Sequence, residues 1–169
     1  MNDDRRTVER LLSCCDAIYR VLGEVAPRCA NDTYVVRIHE MSRAYGSLAL
    51  AMRTYLGNTS VAPLPIVQEV LTSSFAGDPT GAMTLYAMAV AVGPRLLVSL
   101  RDARDGVTAP EVRELIDRAA LVTVGEIRTI AEVSANQVPI EDPSWLASAR
   151  QLVDTLENSG NAESLGFLG

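Results

Sequence analysis

Apolar residues recur every three or four positions along most of this chain, and no stretch alternates apolar and polar residues as a half-buried strand does. The pattern predicts helices over residues 4–24, 32–56, 65–75, 79–100, 108–136 and about 143–156. We therefore predict an all-α fold. With 169 residues, the chain fits a single domain, so we expect one helical bundle over residues 1–157 and a flexible C-terminal tail over 158–169.

The least polar part of the chain is the stretch GDPTGAMTLYAMAVAVGPRLLVSL, in which the residues from Pro79 to Pro94 carry no charge. A helix that is apolar on every side lies either in lipid or in the centre of a bundle. The uncharged run is shorter than the roughly 20 residues that cross a bilayer, and Arg95 and Arg101 interrupt the second half of the stretch. We expect a buried central helix, kinked or split at Gly93-Pro94, and no integral membrane span.

Three helix starts can be read from capping residues. Asp32 is a candidate N-cap of the second helix, and Asp78 is the candidate cap of the central helix, with Pro79 at its first position. Thr108 and Glu111 have the spacing of a capping box before the fifth helix.

Charge and cysteine content restrict the class of partner and the compartment. The net charge is -6 and the pI about 4.8, with no long basic run, so we expect no nucleic-acid partner. Three cysteines, two of them adjacent, do not form a disulfide framework. The amino terminus MNDDRRTVER places charged residues before any apolar run, so we expect no secretory signal and a cytoplasmic location.

The sequence contains no recognisable catalytic motif. His39 is its single histidine, which rules out any two-histidine arrangement, and we interpret it as a solvated surface residue. There is no G-x-S-x-G, no C-x-x-C and no glycine-rich phosphate loop. We therefore expect a protein that is not an enzyme and needs no metal or cofactor.

The second predicted helix carries an apolar seam with alternating steps of four and three. Its members are Tyr34, Ile38, Met41, Tyr45, Leu48, Met52 and Tyr55. The segment from Tyr34 through the small Ser42 to Tyr45 resembles the third homology motif of the Bcl-2 family of apoptosis regulators, the death-motif helix. Arg43 stands where that family has an aspartate.

The stretch SSFAGDPTGAMTLYAMAVAV is similar to the first homology motif of the same family. That motif has an aromatic residue, an acidic glycine turn and then Asn-Trp-Gly-Arg at the start of an apolar central helix. Phe75 and Gly81 match the aromatic residue and the glycine, whereas Pro79-Thr80 replaces Asn-Trp and Ala82 replaces the arginine.

PIEDPSW resembles the second homology motif, with Trp145 at the position of its tryptophan. The three stretches follow the family's order from about Thr33 to Leu156. All fifteen basic residues are arginine, and a chain of this length without lysine resembles a divergent, viral member of the family.

The resemblance implies a Bcl-2-like bundle in which a hydrophobic groove takes the amphipathic death-motif helix of pro-apoptotic Bcl-2 family proteins and so inhibits apoptosis. The protein would act in the cytoplasm or, through its partners, at the mitochondrial surface, and a homodimer is compatible with this function. The expected groove residues are Tyr45, Leu48, Met52, Val70, Phe75, Gly81 and Leu85. Each of them except Gly81 could equally be a core residue.

Because position 82 is not an arginine, affinity for a death-motif helix would have to come from apolar contacts alone or from another arginine, such as Arg53 or Arg95. Two other functions are therefore open. One is a Bcl-2-like immune modulator that binds inflammatory-signalling adaptors through an outer face, without a working groove. The other is a bacterial helical structural or assembly protein, for which SLGFLG at the C-terminus would be a docking tail.

Overall fold

The computed structural model describes residues 3–137, and within that range the protein is built from helices with no strand. Residues 3–137 form five α-helices, joined by short connections. They are α1 (Asp3–Val25), α2 (Asp32–Tyr55), α3 (Pro65–Gly77), α4 (Ala82–Gly106) and α5 (Pro110–Gln137). The predicted all-α class and the first five helices are confirmed. The predicted helix at 143–156, Trp145 and the tail lie outside the described residues.

α1 is the most completely enclosed helix. Its apolar residues at helical spacing are buried, and so are all five consecutive residues from Cys14 to Ile18. A helix packed on one face cannot bury five residues in a row, so the middle of α1 is covered all round. α2 and α3 both pack against it, and the Ser13 hydroxyl donates a hydrogen bond of 2.6 Å to the carbonyl of Ala62 in the connection between them.

α4 is buried on one side, where complete burial was expected. Leu85, Met88, Leu96 and Leu100 are at most 2% exposed, whereas Val98 on the opposite side is 49% exposed. Among the described residues, α4 is the one helix long and apolar enough to cross a membrane, and 56% of its most apolar window is buried. Core helices of soluble proteins pass the same test, so the length and hydropathy of α4 are weak evidence for a span.

The proline in α4 changes the helix type rather than ending the helix. Residues Met88–Val92 form a π turn, in which the N–H of Gly93 donates to the carbonyl of Met88, five residues earlier. Pro94 has no N–H to donate, and its ring would collide with the carbonyl of Val90 in a regular α-helix. A single wider turn before the proline accommodates both effects.

The observed helix starts differ from the predicted caps. Asn31, not Asp32, caps α2, because its side-chain oxygen accepts from the N–H groups of Thr33 and Tyr34 at 3.0 and 3.1 Å. α4 begins only at Ala82, after a turn in which Asp78 accepts from the N–H and hydroxyl of Thr80.

α2 and α5 lie side by side and run in opposite directions. Arg37, near the start of α2, pairs with Glu126 of α5 at 2.9 Å. Further along α2, the Tyr45 hydroxyl lies 2.8 Å from that of Thr123. The last turns of α2 lie beside the first turns of α5, where Tyr55 and Glu111 line the same cleft.

Candidate functional site

The residues expected to line a groove are buried in the described conformation. Tyr45, Leu48, Met52, Val70, Phe75 and Leu85 are between 0 and 5% exposed, and Gly81 is also buried. They pack with the main hydrophobic core. Phe75 also borders a small cleft, whereas side chains as deeply buried as Tyr45, Met52 and Leu85 would contact a ligand only after helices separate.

Three of the elements that carry these residues meet around Gly81. A side-chain carbon built on Gly81 would lie 2.8 Å from Cδ1 of Ile38 and 3.5 Å from Cβ of Tyr34, both on α2. The hydroxyl of Ser74 on α3 lies 3.4 Å from that of Thr84 on α4. α2, α3 and the start of α4 therefore converge in this part of the bundle.

Gly81 is required by this packing rather than open to a ligand. Its φ is +92°, a left-handed conformation that glycine adopts at little cost. A β-carbon would also meet Sγ of Cys29 at 3.0 Å. A long side chain at Gly81 would therefore strain the start of α4.

The other expected groove residues do not all face the same side of the bundle. Tyr45 hydrogen-bonds to Thr123 on α5, and burial raises the pKa of its hydroxyl above the ordinary value. Phe75 instead lies at the junction of α1 and α3, with the guanidinium of Arg28 5.1 Å from its ring centre. Phe75 also lines a small cleft of about 340 Å³ between those two helices.

Arg53, one of the arginines that could replace the missing arginine at position 82, already forms an ion pair within the protein. Its guanidinium donates to the carboxylate of Asp16 in the enclosed part of α1. The other oxygen of Asp16 accepts from Nε of Arg20 at 2.7 Å. The side chain of Asp16 is only 1% exposed, so both arginines neutralise a carboxylate in the core. This cluster could not be predicted from the sequence, because Asp16 and Arg53 lie 37 residues apart and an acid beside an apolar seam is usually solvated.

Two of the three cysteines lie in the core and are unsuited to surface chemistry. Cys14 and Cys15 are both buried, and loss of hydration raises the pKa of the Cys14 thiol to about 12. Cys15 is a core residue with no exposed surface. His39 is exposed, as predicted.

An open cleft lies between the second half of α2 and the first half of α5. Its volume is about 550 Å³, within the range of ligand-binding clefts. We call it the α2–α5 cleft. It is lined by Ser47, Leu50, Ala51, Thr54, Tyr55, Glu111, Glu114, Leu115 and Arg118. None of these residues was predicted as a site, although Leu50 is an apolar residue off the buried seam.

No protein-family model, no curated protein and no solved structure matches this chain. The class that the structure defines is an α-helical bundle.

Proposed function

We propose that this protein is a non-catalytic regulator of the Bcl-2 type, which binds the death-motif helix of pro-apoptotic proteins and so inhibits apoptosis. The observation that carries the proposal is the convergence of α2, α3 and the start of α4 around Gly81. These are the elements that carry the first and third homology-like motifs.

The groove in this proposal is closed before the ligand binds. Its walls include Leu48, Met52 and Leu85, all of which pack in the core. Binding therefore requires α2 and α4 to separate and their apolar contacts to be replaced by contacts with the partner. Since that opening lowers the apparent affinity, we expect weaker and slower binding than a preformed groove would give.

The burial of all seven expected groove residues favours a second function. In this alternative the protein is a Bcl-2-like immune modulator that binds inflammatory-signalling adaptors through an outer face and has no working groove. The α2–α5 cleft is the open surface that such an adaptor could occupy.

Calorimetric titration of the full chain against a panel of death-motif peptides tests the first function. Hydrogen exchange of the complex then locates the site. Binding in the groove should change amide protection in residues 65–85, around α3 and the start of α4. Changes confined to 47–55 and 111–118 would place the ligand in the α2–α5 cleft and support the second function. If no peptide of the panel binds, the death-motif proposal fails.

A further inference from the structure

The α2–α5 cleft has the dimensions of a short helix-binding groove. It extends from Ser47 to Tyr55 on one wall and from Glu111 to Arg118 on the other. Eight or nine residues correspond to roughly 12–14 Å of helix, or a little more than two turns. Two antiparallel helices with an open channel between them accept a third helix along the channel, with its apolar residues at positions i, i+3, i+4 and i+7.

The cleft also offers apolar surface that the described part of the chain, residues 3–137, leaves exposed. Leu50 is 63% exposed at its rim, and Tyr55 is exposed beside it. Leu115 and Ala51 lie deeper in the cleft, and both pack against the core. A partner side chain that enters between Leu50 and Leu115 would remove apolar surface from water on both walls, and this is the main source of affinity in such contacts.

The charges around the cleft are separated along its length. Glu111 and Glu114 lie at the end next to Tyr55, and Arg118 lies at the end next to Ser47. None of the three forms an ion pair with another residue in the 3–137 range. Elsewhere on the surface, charges such as Arg104 and Asp117 are paired. The unpaired carboxylates at one end favour a partner that brings positive charge to that end.

We propose that the α2–α5 cleft binds an amphipathic helix of another protein, which presents basic residues to Glu111 and Glu114 and an apolar anchor between Leu50 and Leu115. An acidic residue about two turns further along the partner would face Arg118. The partner is therefore a helix whose binding face carries, in order along its length, basic residues, an apolar anchor residue and an acidic residue. This inference does not depend on the death-motif groove, because the cleft is open and lies on a different surface from Gly81.

The test uses two synthetic helical peptides with the same leucine stripe. One carries two lysines at the end that meets Glu111 and Glu114 and a glutamate at the other, and the second has these charges reversed. Fluorescence anisotropy measures the Kd of each peptide for the full-length protein. The first peptide should bind about fivefold more tightly, since exposed ion pairs contribute modestly. The E111K/E114K protein should prefer the second peptide.

Matched substitutions separate the cleft from the rest of the surface. Leu50→Ser should weaken binding of both peptides at least about threefold, because it removes the apolar wall. Val36→Ser changes a residue of the same helix that is 57% exposed and lies outside the cleft, and it should leave both Kd values unchanged. Glu132→Lys is the corresponding control on α5, where residue 132 is also exposed.

Several results would overturn the proposal. They are failure of both peptides to bind, equal affinity for the two, or equal loss of binding in Val36→Ser and Leu50→Ser. Sedimentation of the wild-type protein and the Leu50→Ser variant tests whether a second copy fills the cleft. A wild-type dimer that Leu50→Ser converts to a monomer would also refute a foreign helix as the occupant.

Discussion

The carboxylate of Asp4, in the first turn of α1, caps the start of α5 by accepting hydrogen bonds from Thr108. Oδ1 accepts from the Thr108 N–H at 3.0 Å, and Oδ2 accepts from its hydroxyl at 2.9 Å. The N–H of Ala109 donates to the same Oδ2 at 2.8 Å. A carboxylate from the start of the chain thus satisfies backbone donors at a helix N-terminus 104 residues away, where negative charge is also favoured by the helix dipole.

Removal of the Asp4 carboxylate should therefore loosen the start of α5. Asp4→Ala leaves the N–H groups of Thr108 and Ala109 without their acceptor, and we expect a lower melting temperature and faster amide exchange at residues 108–112. Asp3→Ala, at an exposed neighbouring position, is the control and should change neither. Unchanged exchange in Asp4→Ala would show that water replaces the carboxylate.

The same contact should make stability depend on pH in the acid range. The backbone hydrogen bond from Thr108 is the largest of the effects that lower the pKa of Asp4 below its ordinary value. A carboxyl with a lowered folded-state pKa stabilises the protein above its unfolded pKa, about 3.9, and loses this effect as the pH falls through the folded-state value. The difference in melting temperature between wild type and Asp4→Asn should be constant from pH 7 to about 5 and shrink below about 4.

A charge placed at Ala87 should disrupt the fold. Ala87 on α4 is fully buried, whereas Ala89, two residues further on, is only partly buried. An unpaired carboxylate at a buried site costs several kcal/mol against a typical total of about 5–15. Urea denaturation should show Ala87→Asp to be severely destabilised or unfolded. His39→Asp, on the exposed side of α2, should stay within about 0.5 kcal/mol of wild type.

Substitution of Gly81 should destabilise the protein even with the smallest side chain. Gly81→Ala forces a left-handed backbone on a residue with a β-carbon and brings that carbon to 2.8 Å from Ile38. We expect a loss of about 1–3 kcal/mol in the free energy of unfolding. Gly125→Ala is the control, because a β-carbon there meets no atom within 4 Å, and it should stabilise α5 by about 0.5–1 kcal/mol. Equal stability of the two variants would mean that the start of α4 relaxes freely.

Removal of Arg53 should cost more than removal of the whole ion pair. Arg53→Leu leaves the buried carboxylate of Asp16 with Arg20 as its one remaining partner in the cluster, and we expect a loss of roughly 3 kcal/mol. The double variant Asp16→Leu/Arg53→Leu removes the buried charge as well and should recover most of that loss. Chemical denaturation of the two variants and wild type measures the difference. Greater damage in the double variant would contradict this account.

The helices themselves could be predicted from the sequence because their determinants are local. The seam of α2 from Tyr34 to Met52 recurs at helical spacing, and the same residues are buried in the structure. Gly93-Pro94 also indicated the interruption of α4, although only the folded chain shows that a π turn absorbs it. Periodicity and proline geometry act within a few residues, so the sequence determines them directly.

The caps and the buried charges depended on the tertiary structure. Thr108 and Glu111 have the spacing of a capping box, yet Asp4 supplies the acceptor, because the fold brings the start of α1 to the start of α5. From the sequence alone, Asp16 would be predicted as a solvated acid. The structure shows it buried and paired with Arg53 of α2. Neither contact has a signal in local sequence, because the partners lie 104 and 37 residues apart.

Packing also decided which helix is enclosed and which apolar residues remain exposed. The apolar composition of α4 predicted the central helix, but the middle of α1 is the part covered all round, because α2 and α3 both pack against it. The expected groove residues have a spacing that suits a core or a groove equally, and the structure buries them. The α2–α5 cleft arises from Leu50, Glu111 and their neighbours, which resemble an ordinary solvated surface until two antiparallel helices bring them together.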